Sequence, residues 1–358
     1  MSWTCAAIDH GVTIFPNGKI GPCCLIDSDY LKPIGQLNNP DRFTDLKTEY
    51  PPSACVKCIS AESNNLPSYR TFFNSNVTSC SGLQFVDIRN SNLCNLKCRY
   101  CGPHFSSQWA QELGHASPIV SCSIEEHKNI LLTESLHWMY FTGGEPLILA
   151  DHWVILEELI ATNQAHKISL LYNSNLTSLK YKNKNIVSIW KQFKKVTVNC
   201  SIDAVGLELE YIRSGANWNT IDLNIQLLKK SGINIIIGPV VSILNVWNLE
   251  NLFVYAQKHK IKVNLNILEG PDYLALDVIP DELKQLALDN VLKFKEYIPN
   301  NVYARITQLI NNNINQCLFN HTLNHVLLLD SNRNEKLFDL LPFKQIAKDL
   351  ILKNNEYQ

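Results

Sequence analysis

The chain is expected to be an α/β protein: a partial, TIM-like (β/α)6 barrel with a small Cys-rich domain before it and a helical extension after it. Three observations predict this. From Leu83 onward short β-like runs alternate with amphipathic stretches, the signature of βα units and a parallel sheet. Residues 1–59 are instead rich in Cys, Pro and Gly and poor in periodic pattern, as in a small domain held by metal rather than by apolar burial. After Pro271 the pattern turns helical.

In order, strands are predicted at 83–89 (LQFVDIR), 136–142, 167–173, 196–202, 233–243 and 262–268. Helices are predicted near 105–113, 151–162, 184–194, 218–231 and 248–259, with Asp151 as an N-cap and Gly114 and Gly232 as C-terminal stops. The polar stretch 60–79 reads as a connector with one helical turn at most. DELKQLALDNVLKFKEYI and PFKQIAKDLILK carry helical spacing in the extension. The domain boundaries expected are 1–80, 81–270 and 271–358.

A net charge of −1 gives nucleic acid or an anionic membrane no bulk attraction, so neither is an expected partner. The lysines over 180–195 suit a solvated face. MSWTCAAIDHG has no basic and apolar signal pattern, and the apolar stretch from Ile233 to Leu244 is broken by Asn234, Gly238 and Pro239. The expectation is a soluble, cytoplasmic chain.

Twelve cysteines in a chain of this size without an export signal argue for reduced thiols and metal rather than a disulfide framework. In SNLCNLKCRYCG, Cys94, Cys98 and Cys101 follow a predicted strand at spacings of four and three. Three thiolates on one loop can hold three irons of a [4Fe–4S] cluster and leave the fourth iron open to a small ligand. Half of a zinc site is the alternative, and this asymmetric set fits it poorly. FTGGEP ends the next strand. There Gly143 and Gly144 permit close approach to the backbone, Glu145 adds a carboxylate and Pro146 a rigid turn. Both motifs lie at carboxyl ends of neighbouring strands, where parallel α/β proteins place ligands.

These residues resemble the radical S-adenosylmethionine (SAM) enzymes, whose C-x3-C-x-aromatic-C hallmark is matched by Cys94, Cys98, Tyr100 and Cys101. The resemblance implies that SAM chelates the open iron, that Gly143, Gly144 and Glu145 hold its amino group, and that Tyr100 lies near the adenine. It further implies reductive cleavage to a 5′-deoxyadenosyl radical, the hard chemistry being the cofactor's. Asn173 and Asn175 in YNSN, and Ser201, Asp203 and Arg213 in the segment after strand four, match the family more loosely. They are candidate ribose, carboxylate or substrate contacts, with Arg213 suited to the SAM carboxylate. A polar turn explains the asparagines equally well, and a surface ion pair explains Arg213. Ser242, Asn245, Asn264 and Asn266 are further barrel-mouth candidates.

A second metal site is read from Cys5, Cys23, Cys55 and Cys58. Cys5-x12-Gly18-x4-Cys23 resembles the opening of SPASM and twitch domains, and Cys55-x2-Cys58 completes four thiolates. The resemblance implies an auxiliary [4Fe–4S] cluster; structural zinc on the same thiols is the competing reading, and Cys24 is an additional candidate ligand. Pro16–Cys24 (PNGKIGPCC) and Cys101–Trp109 (CGPHFSSQW) resemble a group of twitch-containing radical SAM proteins with this domain at the N-terminus.

The isolated Cys80, Cys122, Cys200 and Cys317 are expected to be packing or chance positions, with a reservation for Cys80 and Cys122 as hydrogen donors. His104, Asp87, His115 and His137 are not assignable as a general base. The resulting expectation is hydrogen abstraction from a peptide or protein side chain, with a small-molecule substrate as the alternative. A non-catalytic iron–sulfur carrier is the weaker reading. An external reductant such as flavodoxin or ferredoxin is the implied partner.

Overall fold

The structure, a computed structural model, describes residues 3–77, 82–312 and 316–335. Cys80 and the predicted terminal helix PFKQIAKDLILK lie outside the described residues. The chain divides into two compact units. The first runs through Lys97 and resumes over Gly102–Cys200 and Leu223–Ile235; the second takes Cys98–Cys101, Ser201–Asp222 and the chain from Ile236.

The α/β class and the mostly parallel sheet are as expected. In the first unit β1 (Gly11–Ile14), β2 (Lys19–Gly21) and β3 (Lys32–Pro33) precede β4 (Phe85–Ile88), β5 (Trp138–Phe141) and β6 (Ser169–Ser174). A small hairpin, β7 (Lys180–Tyr181) and β8 (Lys184–Asn185), leads to β9 (Lys195–Cys200). The strand order is β9-β6-β5-β4-β1-β2-β3, parallel from β9 to β1 and antiparallel beyond. The N-terminal segment therefore contributes strands of its own. Val12, Thr13 and Ile14 of β1 lie beside Val86, Asp87 and Ile88 of β4.

Alternation along the strands gives the sheet two different faces. One carries Phe141 and Tyr172, stacked with ring centroids 5.2 Å apart, with His152 of the helix Ala150–Ala161 edge-on to both. His152 Nε2 lies 2.8 Å from the Tyr172 hydroxyl, and burial pushes its imidazole down to about 3, so it packs as a neutral core ring. Trp138, Tyr140 and Leu171 on the opposite face pack with Phe73 and Phe85.

Several elements depart from the sequence reading for identifiable reasons. Stretch 60–79 is not a connector with a single turn: helices Val56–Ser63 and Tyr69–Asn76 occupy most of it. Ser68 and Thr71 form a reciprocal capping box, and Phe73 sets its ring edge-on to Phe85 at 4.8 Å. Asp151 is not an N-cap but lies in the first turn after Leu149, where its carboxylate accepts a 3.0 Å bond from Asn90 Nδ2. Gly114 and Gly232 do follow helix ends, at φ +75° and +76°.

The stretch read as one strand, 233–243, is two. β10 (Asn234–Ile237) ends before Pro239, which has no N–H to give a ladder, and β11 (Val240–Val241) follows. Their partners are β12 (Lys262–Val263) and β13 (Asn266–Ile267), both parallel. Helices Asp281–Lys293, Asn300–Asn311 and Gln316–Arg333 form the expected helical extension. Among the described residues no helix is long and apolar enough to cross a membrane.

Candidate active site

In the first unit the GGEP turn is built against the stretch that leads into the cysteines. Gly144 N–H donates to Ser91 O at 2.9 Å and Glu145 N–H to Leu93 O at 2.8 Å. A Cβ on Gly144 would fall 2.8 Å from the Asn92 carbonyl carbon and closer still to the Leu93 carbonyl, and Gly143 adopts φ +105°. What comes close to these glycines is thus the chain itself, which fixes the start of the cysteine loop. Cys94 is tied down from the other side, its N–H donating to Ser107 Oγ at 3.2 Å.

Glu145 is buried and its carboxylate organises the turn. Oε1 accepts from Leu147 N at 3.1 Å and Ser174 Oγ at 2.9 Å, while Oε2 accepts from Asn175 N at 2.7 Å. The Asn175 side chain in turn donates to Asn95 Oδ1 at 3.0 Å, and its own Oδ1 takes bonds from Thr177 N and Oγ1. Asn173 accepts from Asn199 Nδ2 at 2.9 Å. Leu176, fully buried, is held at φ +54°, with its carbonyl bound by Asn224. Sequence reasoning found Glu145 and Asn175 but missed Ser174 and Asn95, which join them.

The second unit gathers Cys98, Tyr100, Asp203 and Arg213. Arg213 Nη1 points at Cys98 Sγ from 3.7 Å, and its Nε lies 2.8 Å from Asp203 Oδ2. Tyr100 donates its hydroxyl to the same Asp203 oxygen at 2.7 Å, and the Arg213 guanidinium stands 5.6 Å from the Tyr100 ring centre. Arg213 is therefore a buried partner rather than a surface ion pair. Burial pushes the Cys98 thiol up while Arg213 pulls it back, so the cation favours the thiolate that a metal needs. Burial likewise holds the Tyr100 phenol well above its ordinary range, leaving it a donor to Asp203. Asp203 also accepts from Val240 N at 2.9 Å, and Asn245 braces its carbonyl at 3.0 Å. Asn245 Oδ1 accepts from the Ser242 N–H at 2.9 Å, whereas Asn264 and Asn266 are exposed. Ser201 is half-buried directly after β9.

Of the N-terminal thiols, Cys5, Cys23 and Cys58 act on one another electrostatically, as do Cys5, Cys55 and Cys58. Burial pushes Cys5 up to about 11. Cys24 is the strongest charged influence on Cys23 and also has neighbours of its own. Asp87, Arg89 and Tyr69 surround it, with Arg89 Nη2 2.8 Å from Asp87 Oδ2 and Thr13 Oγ1 3.4 Å from the same atom. Arg70 lies over the Trp3 ring at 4.1 Å, next to Cys5, Cys55 and Cys58, and pairs with Glu62. Among the described residues no two cysteines are joined in a disulfide. Among the described residues no three His, Cys, Asp or Glu side chains are gathered around a point that could hold a single metal ion.

The remaining candidates scatter. His104 and His115 are exposed, His137 is half-buried and Cys317 is exposed. Cys200 is buried in the core, and Cys122 is half-buried with its N–H on Asn90 O. Asp87 is committed to Arg89 and Thr13.

An α/β scaffold that carries three cysteines and a glycine-rich turn after successive parallel strands defines a cofactor-binding class, and residues 90–256 match the family model of the Radical SAM superfamily. That match spans a little under half of the chain, which over this stretch is similar to the radical SAM superfamily. GTP 3',8-cyclase of Mannheimia succiniciproducens is 26% identical over 139 residues, 37% of this chain and 37% of that protein, so the match spans little more than a third of that relative. Among solved structures, hexahistidine-tagged anSMEcpe with bound AdoMet is similar at TM-score 0.44 and 20% identity, over 69% of this chain and 64% of that one. SuiB of Streptococcus suis, bound to the precursor peptide SuiA, is similar at TM-score 0.43 and 18% identity, over 78% and 54%.

Proposed function

We propose that the protein is a radical SAM enzyme that abstracts hydrogen from a peptide or protein side chain, with Cys94, Cys98 and Cys101 holding the SAM-binding [4Fe–4S] cluster. The observation that carries this is the buried Arg213–Cys98 contact, because a guanidinium held by Asp203 beside one thiol of the loop favours the ionised sulfur a metal ligand must present. These three thiols would hold a [4Fe–4S] cluster with an open iron, and the chemistry it would supply, once reduced from outside, is electron transfer to bound SAM. The chain's own residues shape that event. Gly143, Gly144 and Glu145 fix the entry to the cysteine loop; Tyr100, Asn173, Ser201, Asp203 and Arg213 are the candidate contacts to SAM. Arg213, already shared by Asp203 and Cys98, is assigned chiefly to the thiolate.

Anaerobic reconstitution with iron, sulfide, dithionite and SAM tests this. 5′-Deoxyadenosine is expected to accumulate slowly even without substrate, and a protein that binds iron yet forms none is an electron carrier instead. Flavodoxin or ferredoxin as reductant, and a cytoplasmic location, belong to the same proposal. A nucleotide-like small molecule is the second reading, favoured by the relative named GTP 3',8-cyclase. Deuterium carried into 5′-deoxyadenosine from labelled peptides or from labelled nucleotides separates the two.

We further propose that Cys5, Cys23, Cys55 and Cys58 hold an auxiliary [4Fe–4S] cluster, with Cys24 outside the ligand set. The mutual influence of Cys5, Cys23, Cys55 and Cys58 supports that set; Cys24 acts on Cys23 as well, and it is placed outside the set because it also lies among Asp87, Arg89 and Tyr69. Cys23→Ala and Cys58→Ala are then expected to lower bound iron by about four atoms per chain, and Cys24→Ala to leave it unchanged. Iron and sulfide quantification on the reconstituted variants checks it; zinc in their place would decide for the tetrahedral site.

A further inference from the structure

Between two proposed cluster ligands sits Arg99, whose side chain is fully buried. Its neighbours Cys98 and Tyr100 turn toward Arg213 and Asp203, and Arg99 turns the other way. Its main chain is fixed first, by a 2.8 Å bond from its N–H to Ile212 O. The guanidinium is then held by Tyr211 and by the end of the last described helix. Nε donates to Tyr211 O at 2.9 Å, Nη2 pairs with Asp330 at 2.6 Å and with Glu335, and the Tyr211 ring lies 3.7 Å beneath. The acids are themselves secured, Asp330 by the Tyr211 hydroxyl at 3.0 Å and Glu335 by Ser214 Oγ at 2.6 Å.

We propose that the Arg99–Asp330–Glu335 cluster makes the helix Gln316–Arg333 and Glu335 a positioning device for the cysteine loop, setting where Cys98 and Cys101 stand. The proposal rests on the reading of Cys98 and Cys101 as cluster ligands. One argument carries it. A buried arginine fixed through its main chain and through the Nε–Nη2 edge of its guanidinium leaves the residues on either side little rotational freedom.

The test separates placement from mere stability by removing all the charges together, since an uncharged replacement of a buried ion cluster commonly folds as well as the original. The triple variant Arg99→Met, Asp330→Leu, Glu335→Leu is compared with the parent and with the conservative Arg99→Lys. In the metal-free protein, iodoacetamide labelling followed by mass spectrometry reads Cys98 and Cys101 against Cys94 and Cys317 in the same molecules. At least a tenfold faster labelling of Cys98 and Cys101 is expected in the triple variant, with Cys94 and Cys317 unchanged and the melting temperature retained. A smaller acceleration is expected in Arg99→Lys, which keeps the charge and loses the fork. Unchanged labelling in a folded triple variant overturns the proposal; if that variant does not fold, unchanged labelling in Arg99→Lys overturns it. Failure of the parent to bind iron would remove the cluster reading while leaving the labelling result to stand on its own.

Discussion

Cys98→Ala is expected to bring 5′-deoxyadenosine formation down to the level of a protein-free control, measured by chromatography after anaerobic reconstitution with dithionite and SAM. The sulfur removed is the one that Arg213 faces from 3.7 Å, so the substitution takes away a proposed ligand and leaves the guanidinium to Asp203 alone. Two thiolates cannot hold three irons, and about four iron atoms per chain should be lost with the activity. Cys55→Ala provides the contrast: it is expected to remove the auxiliary iron and to spare the uncoupled cleavage of SAM. Because Asp203 still neutralises Arg213 in Cys98→Ala, the fold should survive, and circular dichroism should match the parent.

Gly144→Ala is expected to produce the second largest change. The added methyl would meet the main chain of Asn92 and Leu93, which has no flexible end to swing aside. Either the two backbone bonds from Gly144 and Glu145 to Ser91 and Leu93 break, or the loop moves outward with its cysteines. Overpacking of this kind costs roughly 1–3 kcal/mol, a fall of about 3–10 °C in melting temperature for a unit of this size. Iron retention should drop further than stability alone explains, since the displaced segment leads directly to Cys94. Calorimetry and iron analysis on one preparation read both effects, and an alanine variant with parental values for each would show that the contact relaxes without moving the loop.

Much of the site was legible in the sequence because its chemistry is local. Spacing alone brings Cys94, Cys98 and Cys101 onto one loop, and Gly143–Glu145 onto one turn. The parts that escaped depend on distant segments. Arg99 and Asp330 are separated by 231 positions, and nothing in the run CRYC announces that its arginine points into the protein. Ser174 looked like one more polar residue of a turn until its hydroxyl met Glu145. The helix Tyr69–Asn76 was obscured because its exposed residues are polar apart from Phe72 and Phe73 is its one fully buried anchor; its cap, Ser68 with Thr71, uses a threonine where glutamate or glutamine is the familiar signal. β1 was missed for the opposite reason: GVTI is only four residues long, buried throughout, and its pairing with β4 joins Gly11 to Phe85, far apart in the chain. The long apolar stretch from Ile233 read as a single strand because hydrophobicity outweighed the proline that divides it.

Two main-chain N–H groups and a serine hydroxyl converge on the Glu145 carboxylate, each of them giving a hydrogen to it. Glutamine has the same length, yet it would turn an amide NH2 toward at least one of those hydrogens, and donor would face donor. Aspartate keeps the acceptors and falls a carbon short. The side chain at this place is consequently selected by polarity and reach together, as a peg that gathers two strand ends.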